Sequence, residues 1–305
     1  MSPRIAVILP CYNEEAAIGQ TVAGFRAALP DADIYVFDNN SGDRTAEVAA
    51  QAGAIVRREP MQGKGHVVRR MFADIEADIY VMADGDATYD TSAAPAMIRR
   101  LTEEHLDMVV GARASEVEAA YRRGHRFGNR LLTGILARLF GRTFSDILSG
   151  YRVFSRRFVK SFPILSAGFE IETEISVHAL ELRMPVAEIV TQYSARPVGS
   201  ASKLSTYRDG WRILRMILIL FRIERPVLYF GSIGAMLALL ALILAAPLVV
   251  TYAQTGLVPR FPTAILATGL AIVACLCFFA GLILDTVVRG RREMRRLAYL
   301  SLPSA

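Results

Sequence analysis

Along the first 190 residues, short runs of aliphatic and β-branched residues alternate with longer stretches whose apolar positions recur every three or four residues. The short runs predict strands at Ile5–Leu9, Ile34–Phe37, Ala54–Arg57, Ile79–Met82 and Met108–Gly111, with later ones near Tyr151–Phe154 and Val186–Val190. The longer stretches predict helices at Glu14–Leu29, Arg44–Gln51, Lys64–Ile75 and Ala94–Glu104. Helical pattern returns around Phe127–Phe140 and Glu170–Leu180. Such alternation predicts βα units, an α/β fold with a mostly parallel sheet. The polar clusters PCYNEE, DNNSGD and DGDATYD follow three of the strands. Ligands of open α/β sheets bind beyond the C-terminal strand ends, so these clusters are expected to line one site.

After residue 225 the pattern changes. Val227 to Ala253 is almost unbroken apolar sequence, and so is Thr263 to Val288 apart from Asp285. Each exceeds the roughly 20 residues that cross about 30 Å of hydrocarbon, so two transmembrane helices are expected. A buried core helix would explain one such run but not two in succession. Asp285 is placed to pair with Arg289 on the next turn. Gly231, Gly234 and Ala235 allow close helix approach, and with it a homo-oligomer. Ahead of the spans, STYRDGWRILRMILILFRIERP sets Trp211, Leu214, Leu218 and Phe221 on one helical face, with Arg208, Arg212, Arg215 and Arg222 supplying charge. An amphipathic helix of this kind suits the headgroup layer or packing on the head.

Composition sharpens this division. Of 305 residues, 53% are hydrophobic and 21% charged, too apolar for a disordered chain. The net charge of +6 is unevenly placed: Met1 to Ala195 carries −3, Arg196 to Arg225 +5, and the rest +4. The basic excess surrounds the apolar segments, where a membrane surface attracts it, which argues against a nucleic-acid partner. Arginines flank the outer ends of both spans while the connecting loop has only Arg260. The positive-inside rule therefore puts head and tail in the cytoplasm. Three cysteines, Cys275 and Cys277 two apart in an apolar run and Cys11 far from them, make no disulfide framework and fit a reducing compartment. The opening MSPRIAVILP is too short in its apolar stretch for a secretory signal. The expected organisation is a head over residues 1–204, a juxtamembrane helix over 205–225, two spans within 226–288 and a basic tail over 289–305.

The sharpest chemical signal is DGD. Asp84 and Asp86 follow an apolar strand, and their carboxylates are hard ligands suited to Mg²⁺ or Mn²⁺ when a diphosphate completes the shell. A plain acidic turn is the simpler alternative. Asp38 ends a strand where a carboxylate can meet ribose or base. Asp43, in the same loop, reads better as a helix cap. Gly63 and Gly65 flank Lys64 at a helix start, where backbone can approach phosphate closely. The four histidines show no metal-ligand spacing and read as structural.

Taken in order, PCYNEE, DNNSGDRT, GKG, DGD and DILSGYR resemble glycosyltransferase family 2, closest to its dolichyl-phosphate mannose synthase-like polyprenyl-phosphate branch. The similarity spans roughly residues 4 to 205. It implies a GT-A head, Rossmann-like, with an inverting mechanism, a nucleotide-diphosphate sugar donor and a divalent metal. By motif, Pro10, Tyr12, Glu14 and Asp38 would contact the nucleotide, Lys64 the phosphates, and Asp84 and Asp86 the metal and diphosphate. Many relatives have Gln two residues after the second Asp; here Thr88 stands there, leaving Thr88, Tyr89 or water to complete the set. GARASEVEAAYRRGHRFGNR resembles the segment that binds the acceptor phosphate, implicating Arg113 and also Arg122 and Arg126. DILSGYR places Asp146 near the reacting centre. RPVGSASK resembles a juxtamembrane element that would bring Arg196 and Lys203 over the phosphates; binding to anionic headgroups is their simpler role. Acidic residues occur near the acceptor site in relatives, which draws in Glu170 or Glu172, otherwise acids at a helix start.

A lipid monophosphate is already anionic near pH 7 and needs positioning more than deprotonation. Asp146 is therefore expected to orient a group rather than act as base. The resemblance thus predicts sugar transfer to a dolichyl or undecaprenyl phosphate at the cytoplasmic membrane face. Rival readings are a glycan acceptor, a processive synthase, or a non-catalytic scaffold. No QxxRW-like segment supports the synthase, and two spans are few for a polymer channel.

Overall fold

A computed structural model describes residues 3–114, 144–164, 170–194 and 225–303, with isolated positions between them. The chain divides into two compact units. One is the head together with the C-terminal residues from Arg295, and the other contains the long apolar helices up to Met294.

The head is built on a seven-stranded sheet with strand order β3-β2-β1-β4-β6-β5-β7. Its strands are β1 (Ile5–Cys11), β2 (Asp33–Asp38), β3 (Ile55–Arg58), β4 (Ile79–Met82), β5 (Met108–Ala114), β6 (Arg152–Ser155) and β7 (Val186–Gln192). All pairings are parallel except those of β6, which runs against both β4 and β5. The chain leaves β5 at the C-terminal sheet edge and enters β6 from that same edge, so β6 must run backwards. Every predicted strand is present, and the sheet is mixed but mostly parallel.

Helices cover both faces. On one lie α1 (Glu15–Ala28), α2 (Thr45–Gln51) and α4 (Ala94–Glu103). They pack Ile18, Val22, Phe25, Met97 and Leu101 onto Val7, Leu9, Val81, Val109 and Val153. The other face carries α3 (Lys64–Asp74), α5 (Arg156–Ser161) and α6 (Ile171–Glu181). There the alternate strand residues Tyr80 and Phe154 meet a run of aromatic contacts among Phe72, Phe158 and Phe162. The six-residue α5 has no counterpart in the predicted helices; Ser155 starts it by accepting the Phe158 N–H at 3.1 Å. Apart from Gly134, the helix expected around Phe127–Phe140 lies outside the described residues, as does the whole stretch from Trp211 to Leu218.

The C-terminal residues complete the head. Asp107, 1% exposed, accepts from Ser155 Oγ at 2.7 Å, Arg157 Nη2 at 3.0 Å and the Tyr299 hydroxyl at 2.6 Å. Arg157 also stacks over the Tyr299 ring, and Arg295 pairs with Glu181 at 2.7 Å.

The second unit is a helical hairpin of α7 (Pro226–Thr255) and α8 (Phe261–Leu300). Both helices are long and apolar enough to cross a membrane, each containing an 18-residue window of mean hydropathy 2.7 or 2.5 respectively. Gly256, at φ 71°, ends α7 in the left-handed conformation. Beyond Pro226, the buried positions recur every seven residues: Gly234, Ala241 and Leu248 on α7, and Ala267, Ala274, Gly281 and Val288 on α8. A seven-residue period is that of a left-handed coil, and small residues let the backbones close together. A Cβ at Gly234 would lie 3.0 Å from the Ala274 carbonyl, and one at Gly281 3.3 Å from that of Pro226. Gly234 is thus used inside the hairpin, whereas Gly231 faces open space. The expected Asp285–Arg289 pair is present at 2.7 and 2.8 Å.

Candidate active site at the C-terminal edge of the sheet

The acidic turn follows β4. Thr88 closes it, donating from its hydroxyl to Asp86 Oδ1 at 2.6 Å and from its N–H at 3.2 Å. Gly85 has no room for a side chain because a Cβ would strike the Cys11 sulfur. Asp84 faces the DILSGYR loop: a Cβ on Gly150 would stand 2.6 Å from Asp84 Oδ2. The Gly150 N–H donates to the Tyr89 hydroxyl at 2.8 Å, tying the two loops together.

Lys64 reaches this turn from the start of α3. Gly63 holds φ 135°, a value that favours glycine. Asn39 fixes the loop by accepting the Gly63 N–H at 2.7 Å and donating to the Glu59 and Met61 carbonyls. The Lys64 ammonium pairs with Asp84 Oδ1 and lies 2.5 Å from Glu172 Oε1. Burial opposes its charge, but Asp84 and Glu172 outweigh burial and raise its pKa, so it stays protonated. Glu172, one of the two acids singled out in GFEIETE, is therefore in the site through Lys64.

The residues expected at the nucleotide lie at the ends of β1 and β2 and in the turn between β1 and α1. Pro10 and Cys11 pair with Phe37 and Asp38 at the strand ends. Asp38 is buried and accepts the Ser41 N–H at 3.4 Å. Tyr12 is exposed, and Glu14 is buried with its N–H on Thr45 Oγ1 at 2.9 Å. Asp43 lies one residue before the N-cap Arg44 of α2. It accepts the N–H of Glu15 at 3.2 Å and of Thr45 at 3.0 Å, closing the starts of α1 and α2 together.

At the opposite end, Arg113 on β5 grips Asp146 with Nε to Oδ2 at 2.6 Å and Nη2 to Oδ1 at 2.8 Å. The Arg113 guanidinium also lies 5.4 Å from the Tyr193 ring centroid. Glu188 on β7 accepts the N–H groups of Ser145 and Asp146, and Ser149 Oγ donates to the Gly111 carbonyl at 2.6 Å. Sequence reading missed Glu188; its contribution is to backbone, which carries no side-chain pattern. Arg122, Arg126, Arg196 and Lys203 lie outside the described residues.

Among the described residues no group of three or more His, Cys, Asp or Glu side chains is arranged to hold a metal. Asp84 and Asp86 offer two hard carboxylates by chemistry, and a divalent ion there would need phosphate oxygens and water to complete its shell. Thr88 and Tyr89 are engaged in holding the loops.

Residues 6–162 match the family model described as glycosyl transferase family 2. Glycosyltransferase AglJ of Haloferax volcanii is 36% identical over 232 residues, 75% of this chain and 76% of that protein. The dolichyl-phosphate hexose transferase of the same organism is 26% identical over 213 residues, 70% of this chain and 92% of that one. Glucosyl-3-phosphoglycerate synthase of Mycobacterium tuberculosis, solved with Mn²⁺, UDP-glucose and phosphoglyceric acid, superposes with TM-score 0.57 at 24% identity. That superposition covers 72% of this chain and 79% of the synthase, and it shows a shared GT-A-like α/β fold. With half the chain inside the family model and a 36% identical relative matched over most of its length, the chain belongs to glycosyl transferase family 2.

Proposed function

We propose that this glycosyltransferase moves a hexosyl or N-acetylhexosaminyl group from a nucleotide-diphosphate sugar to a polyprenyl phosphate, with inversion, at the cytoplasmic face of a membrane. The observation that carries this reading is the bidentate Arg113–Asp146 pair. A hydroxyl acceptor needs a base to take its proton, and a carboxylate clamped by a guanidinium is a poor one. A phosphate acceptor arrives deprotonated and needs a cation to hold it. The two long apolar helices supply a reason for that phosphate to be lipid-borne. The similarity to a dolichyl-phosphate hexose transferase supports the same acceptor class.

In this reading Pro10, Tyr12, Glu14 and Asp38 seat the nucleoside, and Lys64 meets the diphosphate. Asp84 and Asp86 would hold Mg²⁺ or Mn²⁺, which when bound supplies charge stabilisation to the departing nucleoside diphosphate. Arg113, with Arg122 and Arg126, would hold the acceptor phosphate, and Arg196 and Lys203 would contribute further charge to the phosphates. A phosphate oxygen attacks the anomeric carbon in line as the bond to the nucleoside diphosphate breaks, inverting the centre. Asp146 keeps Arg113 aimed. On this reading the head would cover 1–204, the juxtamembrane helix 205–225 and the spans 226–288, and the positive-inside rule supports a cytoplasmic side for head and tail.

The reading is tested with purified protein in vesicles containing undecaprenyl or dolichyl phosphate, supplied with Mg²⁺ or Mn²⁺ and a panel of labelled nucleotide sugars. Label in the butanol-extractable lipid, released by mild acid, supports it. Label in polymer or in water-soluble glycan instead would reassign the acceptor.

A further inference from the structure

Among the described residues Arg152 is the largest side chain with no exposure, and the chemistry above does not use it. Its hydrogen bonds go to no carboxylate. Nε donates to the Ser149 carbonyl at 2.9 Å, and Nη2 to those of Ile147 at 2.5 Å and Glu172 at 3.1 Å. Nη1 faces Met108 Sδ at 3.5 Å. Burial lowers its pKa to about 10, with Glu172, Asp146, Tyr89 and Glu188 opposing, so the guanidinium remains charged at neutral pH. Leucine or methionine would fill such a position at the start of a strand more cheaply, since a buried charge without an adjacent partner is costly.

The three carbonyls come from two separate pieces of the site. Ile147 and Ser149 belong to the loop that carries Asp146, the partner of Arg113. Glu172 is in the first turn of α6, and its carboxylate holds Lys64 beside Asp84. One rigid planar fork thus joins the backbone under the expected acceptor side to the backbone under the expected donor side. Ser176 Oγ repeats the link more weakly, donating to Glu172 O at 2.9 Å and Ile147 O at 3.4 Å.

We propose that Arg152 is a positioning residue for glycosyl transfer: from beneath the sheet edge it locks the Asp146 loop to the start of α6, so that Arg113 and Lys64 keep a fixed spacing. The proposal rests on the reading of Arg113 and Lys64 as acceptor-side and donor-side groups. It requires the fork and not the charge alone, because a lysine point charge cannot span three carbonyls in a plane.

The deciding variant is Arg152→Lys in the full-length protein, which retains the buried charge and removes the fork. Hydrogen exchange should rise by about tenfold in residues 144–151 and 170–175 and stay at the wild-type level in β1 and β2. Turnover of labelled sugar should fall by about tenfold or more, while KM for the nucleotide sugar moves less than about threefold, as expected when reacting groups are misplaced. Unchanged exchange in those two segments, a rise spread evenly over the head, or loss of the fold would overturn the proposal in favour of a packing role. Wild-type turnover rate in the same assay would overturn it as well. If the wild-type protein transfers sugar to no lipid phosphate, the acceptor reading fails, and the exchange pattern still decides whether Arg152 couples the two segments.

Discussion

Arg113 and Asp146, 33 residues apart, form a two-bond clamp at 2.6 and 2.8 Å, with the Arg113 N–H adding a third, longer contact at 3.3 Å to the same carboxylate. Geometry of this kind aims an arginine and quiets a carboxylate. Asp146→Asn keeps the shape and weakens the clamp. It is expected to lower kcat/KM for the acceptor by roughly 10- to 100-fold, about 1.4–2.8 kcal/mol, with donor KM unchanged. Steady-state kinetics in both substrates checks this. Loss of nearly all turnover with normal donor binding would mean that Asp146 takes a proton.

Gly150 faces the Asp84 carboxylate, where a Cβ would come within 2.6 Å of Oδ2. Gly150→Ala must therefore push Asp84 aside. Mn²⁺ affinity in the presence of the donor's nucleoside diphosphate, read by electron paramagnetic resonance, is expected to drop by about tenfold or more. An unchanged affinity would remove Asp84 from the metal set.

His178 makes no hydrogen bond through either ring nitrogen and packs against Phe162 and Phe158 at ring-centroid distances of 4.8 and 5.5 Å. Burial, with Arg295 adding, pushes its pKa down to about 3. The unfolded chain takes up this proton near pH 6.5 and the folded chain does not. The neutral histidine is therefore tolerated in full above pH 6.5, and stability is lost as pH falls from there toward 3. Between pH 7 and pH 5 the loss from this residue is about 2 kcal/mol. His178→Leu should retain more of its stability at pH 5 than the wild type does, measured as unfolding midpoints in detergent at both pH values. Equal acid sensitivity of the two proteins would contradict the burial account.

Much of the head was legible because its strands are short apolar runs with polar ends, and those ends form the site. Six of the seven strands and the helices flanking DNNSGD and GKG lie within a residue or two of their predicted limits, whereas β5 runs three residues past Gly111, to Ala114. The reversal of β6 was not legible, since direction depends on which edge the chain returns from. Neither was Arg152, because an arginine in a strand reads as surface until its carbonyl partners are seen. Lys64 and Asp84 were singled out separately, but their pairing with each other and with Glu172 is a product of the fold. The apolar pattern marked both long helices yet not the extent of α8, whose last turns are charged and join the head through Arg295 and Tyr299.

The seam of α7 and α8 separates two glycines three residues apart. A Cβ at Gly234 meets the Ala274 carbonyl at 3.0 Å, and one at Gly231 meets nothing within 4 Å. Gly234→Ile is expected to force the helices apart and lower the unfolding midpoint in detergent, whereas Gly231→Ile leaves it near wild type. If Gly231→Ile instead lowers oligomeric mass with the midpoint intact, that glycine serves contact between copies.

The most direct test of the central claim is transfer of labelled sugar into polyprenyl phosphate by wild-type protein beside Asp86→Asn, with Mg²⁺ or Mn²⁺ present and then chelated. The account predicts acid-labile label in the lipid phase for the wild type, abolished by chelation and reduced at least about 100-fold by Asp86→Asn. Lipid label that survives both treatments would contradict the metal assignment. Donor turnover with no label in lipid would contradict the acceptor.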